Sequence, residues 1–173
     1  MKHEKNITKG VVVLSIVLIM TFFGCGRVDN QSKENNETRS NKKESAVKKV
    51  NEFKIELDSK EKIIIGDSLE MTLKVKNDAG QIKTVTYGSP RRHDFEVLDS
   101  EGNTVWCKTC KEFFIQTTVD ETLGVDQEIE YTATWSLDDN EGNQVGTGVY
   151  ILKASWLALE NGGSVEKKIE ITK

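Results

Sequence analysis

Strict alternation of apolar and polar residues is the feature that most constrains how this chain folds. The pattern is cleanest over residues 69–76, which read Leu-Glu-Met-Thr-Leu-Lys-Val-Lys. It recurs in five further segments: 53–57, 93–97, 129–135, 150–156 and 167–171. Successive side chains of a strand point to opposite faces, so the pattern predicts strands with one buried and one solvated face. With runs near 82–87 and 103–107, the chain is expected to form about seven to nine strands.

Turn signals separate these segments. Residues 77–80, 99–102 and 161–163 are rich in the Gly, Asn and Asp residues that tight turns require. Short strands with regular turns and no helical period predict an all-β domain, an immunoglobulin-like antiparallel β-sandwich over residues 51–173. Tyr150, in Gly-Thr-Gly-Val-Tyr, is placed like the tyrosine corner of such sandwiches, whose hydroxyl bonds back to the nearby backbone.

The first 25 residues predict a leader that is removed and a lipid that remains. Three lysines precede an apolar run over residues 11–23, which is too short to span a bilayer comfortably but suits a signal peptide. The run ends in Phe-Phe-Gly-Cys, which resembles a bacterial lipobox. That resemblance implies a signal peptide over residues 1–24, a diacylglycerol on Cys25, and a protein held on the extracytoplasmic face of the cell membrane. An uncleaved anchor and an ordinary secretion signal are the alternatives.

Residues 25–50 are predicted to be a disordered tether, because almost no apolar residue is present to offset chain entropy. A short helix over 46–50 is an alternative. Residues 26–50 carry 7 basic and 4 acidic residues, a net charge of +3, whereas residues 51–173 carry 14 and 23, a net charge of −9. An acidic domain does not favour nucleic acid as a partner, since that recognition needs a basic surface.

Few residues are available for catalysis or metal binding, so we expect no enzyme, no metal and no cofactor. His93 is the single histidine after the leader, and its strand neighbour Asp94 should point to the opposite face. A structural zinc site needs four ligands, and too few soft donors remain. The acidic segment 138–143 does not have the Gly and Glu positions of a calcium loop, so it is interpreted as a hairpin loop.

Residues 106–110, Trp-Cys-Lys-Thr-Cys, resemble the redox motif of thioredoxins. A redox cysteine pair belongs in a βαβ context, where a helix lowers the thiol pKa. Here the surrounding segments alternate as antiparallel strands. A structural disulfide between Cys107 and Cys110 is therefore the preferred interpretation, with redox chemistry and free thiols as the alternatives.

The chain resembles the BsuPI family of proteinase inhibitors from residue 69 to residue 154. The matching elements, in the family's order, are the alternating strand at 69–76, Asp94-Phe95, Asp99, Gly102 to Trp106, Phe114, Gln116, Leu123, Tyr131, Trp135 and Gly148-Val149-Tyr150. Asp126, His93 and the segment 107–110 depart from the family pattern. The resemblance implies an immunoglobulin-like fold and inhibition of a proteinase.

An inhibitor needs an exposed segment that lies extended in a cleft, and the connections 107–124 and 136–147 are long enough. The first contains Phe113 and Phe114, the predicted partner-binding residues, although at least one of the two is expected to belong to the core. The sequence therefore predicts a lipid-anchored, non-catalytic protein-binding domain whose partner is a protease. An extracytoplasmic thiol-disulfide protein and a passive envelope scaffold are the alternatives.

Overall fold

The computed structural model describes residues 44–173, and every regular element in that range is a β-strand. In chain order the strands are β1 (Glu44–Val50), β2 (Phe53–Ser59), β3 (Lys62–Ile64), β4 (Leu69–Asn77), β5 (Lys83–Tyr87), β6 (His93–Leu98), β7 (Thr104–Cys107), β8 (Val119–Leu123), β9 (Glu128–Trp135), β10 (Gly148–Trp156) and β11 (Gly163–Thr172). The predicted signal peptide, Cys25 and the tether up to residue 43 lie outside the described residues. Among residues 44–173, no helix offers a length and apolarity sufficient to cross a membrane.

The strands form two main sheets and a separate ribbon. The first sheet has the order β1-β2-β4-β9, and all its pairs are antiparallel. The second has the order β3-β11-β10-β6-β7, in which β3 runs parallel to β11 and the other pairs are antiparallel. Strands β5 and β8 pair as a two-stranded ribbon. This architecture confirms the predicted immunoglobulin-like β-sandwich.

The core lies where the apolar faces of the strands meet. In β4, Leu69, Met71, Leu73 and Val75 are all fully buried, as their alternation predicts. The largest fully buried side chains elsewhere are Trp135, Trp156, Tyr87, Phe53 and Phe95. Burial of apolar side chains on facing strands is the main stabilising contribution in such a sandwich.

Tyr150 forms the tyrosine corner that the sequence predicts. It lies near the start of β10, and its hydroxyl donates a hydrogen bond of 3.0 Å to the carbonyl oxygen of Gly146, four residues upstream. The ring also meets Trp135 edge-on, with centroids 6.0 Å apart. The corner therefore joins the entry of β10 to the core beneath it.

The prediction of a disordered tether up to residue 50, and its alternative of a short helix, are wrong for residues 44–50. These residues form β1, which pairs antiparallel along the whole length of β2. A two-residue turn connects the strands, and Asn51 adopts φ 52° there, a left-handed conformation that Asn tolerates. The folded domain consequently begins before residue 51, because an edge strand gains a full ladder of backbone hydrogen bonds with few apolar residues.

Two short strands were not predicted. Strand β3 runs beside the end of β11, and β8 lies inside the expected connection 107–124. The buried side chain of Asn77 joins the β5–β8 ribbon to the sandwich, since its amide donates to the carbonyl oxygens of Gln81 and Gly124, each at 2.8 Å. Tertiary contacts of this kind explain why the weak alternation of β8 still produces a strand.

Candidate functional site

The candidate site is the segment that leaves β7, which we call the disulfide loop (residues 107–118). Cys107 ends β7 and is bonded to Cys110, closing a ring of four residues. Cys107 is buried, whereas Cys110 is exposed. The amide of Lys108 donates to the carbonyl oxygen of Phe95 at 2.9 Å, so the first residue inside the ring remains bonded to β6. The loop therefore begins from a rigid base.

A buried carboxylate lies under this base. Asp94, on β6, is 5% exposed. Its Oδ1 atom accepts hydrogen bonds from the Thr109 hydroxyl at 2.8 Å and from the Phe95 amide at 2.9 Å. Its Oδ2 atom pairs with the Arg91 guanidinium and lies 3.6 Å from the Cys107 sulfur. Buried charges need partners of this kind. Asp94 therefore joins the start of β6 to the disulfide ring.

Phe113, Phe114 and Ile115 differ sharply in their surroundings. Phe113 is fully exposed and Ile115 is 71% exposed, whereas Phe114 is half-buried. The guanidinium carbon of Arg91 lies over the Phe114 ring, 5.9 Å from its centroid, which is a cation–π geometry. The expectation that at least one of the two Phe residues belongs to the core is wrong. Phe113 is exposed, and Phe114 packs at the surface and not among the core residues.

The outer part of the disulfide loop has an unpaired backbone. The amide of Glu112 donates to the carbonyl oxygen of Thr109 at 3.0 Å. From residue 113 to residue 118, the described chain forms no backbone hydrogen bond and no regular element. Strand β8 begins at Val119, so the segment is held at both ends. Free amide and carbonyl groups on a held segment are available to pair with another chain.

A cleft of about 200 Å³ lies beside the loop. It is lined by Pro90, Arg91, Arg92, His93, Lys108, Thr109, Glu112, Phe114 and Tyr131. The His93 ring is half-buried and stacks on Tyr131 with centroids 4.2 Å apart. Burial and the nearby Lys108 ammonium lower the pKa of His93, so the imidazole is neutral at pH 7. Burial raises the pKa of Tyr131.

The connection 136–147 supports the disulfide loop from behind. The side-chain oxygen of Asn140 accepts a hydrogen bond from the backbone amide of Cys107 at 3.1 Å. The backbone amide of Asn140 donates to the carbonyl oxygen of Val105 at 3.0 Å. The Lys111 ammonium also donates to the Asn140 carbonyl oxygen. The structure thus brings together the two connections that the sequence singled out. Residues 138–144 form the predicted hairpin, closed by a bridge between Asp138 and Gln144.

Asp139 caps this hairpin, and its titration gives a testable pH dependence. Hydrogen bonds from the backbone and side chain of Asn143 lower the pKa of Asp139. A carboxylate with a lowered pKa stabilises the fold above its ordinary pKa, and this contribution is lost as the pH falls through the lowered pKa. We expect Asp139→Asn to be less stable than wild type at pH 7, with the difference shrinking as the pH falls through the lowered pKa of Asp139. Urea midpoints at several pH values measure it, and a difference that grows in acid would contradict it.

A family comparison identifies the domain. The model of the BsuPI family, described as intracellular proteinase inhibitors, matches residues 55–161, which is more than half of the 173-residue chain. The chain belongs to the BsuPI family. The matched range of the BsuPI domain includes the disulfide loop, the cleft and the supporting hairpin. No curated protein matches the chain.

Solved structures resemble the BsuPI domain only distantly. Spo0M, a sporulation control protein from Bacillus subtilis, is 14% identical with a TM-score of 0.44, covering 72% of this chain and 51% of Spo0M. The CARDB domain of PF1109 from Pyrococcus furiosus is 15% identical with a TM-score of 0.40, covering 70% and 94%. A β-glucosidase from Listeria innocua is 13% identical with a TM-score of 0.40, and the chain spans only 16% of it. Similarity at this level carries no argument about function.

The site of this BsuPI domain contains residues that the sequence pattern does not predict. Phe113, Phe114 and the cysteine pair lie together in one loop, as their spacing predicts. Asp94, Arg91 and Asn140 were not predicted, because alternation alone does not reveal that a polar strand residue is buried against a loop. The sequence signal that could have identified Arg91 is the pair Arg91-Arg92 just before β6. Within residues 44–173, no group of three or more His, Cys, Asp or Glu side chains is arranged to hold a metal ion.

Proposed function

We propose that this protein is a proteinase inhibitor that places the outer part of the disulfide loop in the active-site cleft of its target. The observation that carries the proposal is a fully exposed Phe113 on a segment whose backbone has no internal hydrogen bonds. Membership of an inhibitor family points in the same direction. The domain acts by binding, and no catalytic step is assigned to it.

The geometry of the loop suits tight binding. An extended segment adds to a cleft by main-chain hydrogen bonds, and pockets take its side chains. Binding is stronger when the segment is already ordered, since less conformational entropy is lost on association. Three contacts order the segment before it binds a partner: the disulfide, the backbone hydrogen bond from Lys108 to Phe95, and the contact of Phe114 with Arg91.

We further propose that the inhibitor works outside the cytoplasm, held to the membrane by a lipid on Cys25 after removal of residues 1–24. The lysine-rich start, the apolar run and the Phe-Phe-Gly-Cys sequence support this location. A disulfide in the binding loop is also consistent with an oxidising compartment. Two acyl chains give stable anchoring, whereas one gives marginal binding.

A thiol-disulfide function is the second candidate, because exposed Cys110 is accessible to an attacking thiol. The surroundings of Cys107 work against it. The buried Asp94 carboxylate, 3.6 Å from the Cys107 sulfur, repels the thiolate that must leave when the bond is reduced. The double change Cys107→Ser and Cys110→Ser separates the candidates in an insulin-reduction assay. The inhibitor proposal predicts no activity in either the wild type or the variant.

The direct test uses serine endoproteases that cleave after large apolar residues and whose active-site concentration is known. Each protease is titrated with the purified full-length protein. We expect activity to fall linearly and to reach its minimum at one inhibitor per protease. Steady cleavage of the protein as a substrate, or no loss of activity across such a panel, would refute the proposal. Intact-mass measurement of the membrane fraction tests the location, and an uncut leader in soluble protein would exclude it.

A further inference from the structure

The orientation of Phe114 determines the side on which its neighbours Phe113 and Ile115 lie. Side chains of an extended segment alternate between opposite sides, so a Phe114 that faces the domain leaves Phe113 and Ile115 on the outer side. Over residues 113–115 the exposures alternate in this way, with Phe114 half-buried against Arg91 and both neighbours exposed, whereas residues 116–118 are all exposed. A loop rotated by one residue would present Phe114 and hide the other two.

Arg91 is itself held from below. Its guanidinium pairs with the Oδ2 atom of Asp94, and the side chain is 32% exposed while the Asp94 side chain is 7% exposed. The other carboxylate oxygen accepts from Thr109, inside the disulfide ring. One buried residue on β6 therefore determines both where the loop begins and where the cation that faces Phe114 lies.

We propose that Asp94 and Arg91 are positioning residues that select which side of the loop meets the partner. This inference rests on the proposed inhibitory function and deepens it. It specifies that the partner is a protease whose extended cleft has two apolar pockets on one wall, one for Phe113 and one for Ile115, with no pocket for Phe114.

The chemistry requires arginine at position 91. A planar guanidinium pairs with a carboxylate through its edge while its face lies over an aromatic ring. Lysine keeps the charge but cannot make both contacts in the same geometry. Arg92 lies 5.6 Å from the Tyr87 ring centroid and pairs with Glu121 at 3.3 Å, so it has the same two kinds of contact away from the loop. Because Arg92 also lines the cleft, it is a control for the orientation of Phe114 and not for inhibition.

The test compares Arg91→Lys with Ile82→Ala in the full-length protein, because Ile82 is exposed and lies in neither the disulfide loop nor the cleft lining. We expect Arg91→Lys to raise the inhibition constant about tenfold with little change in thermal midpoint, and Ile82→Ala to leave the inhibition constant within about twofold. Ile115→Ala should also raise it about tenfold, as a second pocket requires. Equal weakening by Arg91→Lys and Ile82→Ala, or no weakening by Arg91→Lys or Ile115→Ala, would overturn the inference.

A second measurement reads the loop without any protease. In protein labelled with 4-fluorophenylalanine, the Phe114 fluorine signal is identified by its loss in Phe114→Leu. We expect Arg91→Lys to move the chemical shift of this signal towards that of the exposed Phe113. We expect Arg92→Lys to leave the chemical shift unchanged. An unmoved signal in Arg91→Lys would refute the positioning role. If the wild type inhibits no protease, the proposed function fails, and the fluorine signal still decides whether Arg91 orients Phe114.

Discussion

Replacing Phe113 with Ala is expected to weaken inhibition by about a hundredfold or more while leaving the domain folded. An exposed aromatic side chain that enters a partner's pocket is the usual form of a binding hot spot, and its truncation costs roughly 3–4 kcal/mol of binding free energy. Phe113 is fully exposed, so its removal takes no contact from the core. Surface changes of this kind alter stability by about 0.5 kcal/mol or less.

Two measurements on the same protein test this expectation. The inhibition constant against a titrated endoprotease should rise, and the urea midpoint should remain at the wild-type value. Ile82→Ala is a suitable control, since Ile82 is also apolar and 65% exposed but lies at the start of the ribbon and not in the disulfide loop. Undiminished inhibition by Phe113→Ala would remove Phe113 from the binding surface.

Replacing Trp156 with Ala should produce the opposite result, a large loss of stability. Trp156 is 1% exposed and packs on Phe53 with ring centroids 4.9 Å apart. Its indole nitrogen donates to the Tyr87 hydroxyl at 3.0 Å, which joins β10 to the β5–β8 ribbon. Truncation of a buried Trp to Ala costs about 3–5 kcal/mol, because a cavity is left behind and apolar contacts are lost.

Chemical denaturation measures this cost directly. Trp156→Phe keeps a buried aromatic ring but loses the indole hydrogen bond and part of the ring volume, so it should be destabilised less than Trp156→Ala. Inhibition by the folded fraction should persist in both variants, because Trp156 is not a residue of the disulfide loop or of the cleft lining. If Trp156→Ala has a wild-type midpoint, the core described above is wrong.

The sequence predicted the strands in which apolar and polar residues alternate clearly. Strand β4 alternates without error, and half of its residues are available to a core regardless of what lies opposite. Strand β1 was missed because its lysines obscure the pattern, and its stability comes from pairing with β2. Strand β8 was missed because Glu121 interrupts its apolar side; in the structure that carboxylate accepts a hydrogen bond from the Tyr87 hydroxyl at 3.2 Å.

The same division applies to the site. The spacing of Cys107 and Cys110 and the run at 113–115 were sufficient to select the loop. They were not sufficient to tell which aromatic ring faces outwards, since an extended segment has two equivalent sides until something holds one of them. That choice depends on Arg91, whose position depends on the buried carboxylate of Asp94, three residues later in β6; the same carboxylate also accepts a hydrogen bond from Thr109 in the disulfide ring.

By itself, the sequence determined that this chain makes a two-faced β-structure and that a long apolar loop follows one of its strands, because side-chain periodicity and turn chemistry are local properties. The tertiary structure decided where the domain begins, that Asp94 is buried, and that Phe113 is presented while Phe114 is held. Those features depend on contacts between residues distant in the chain, and no local pattern specifies such contacts.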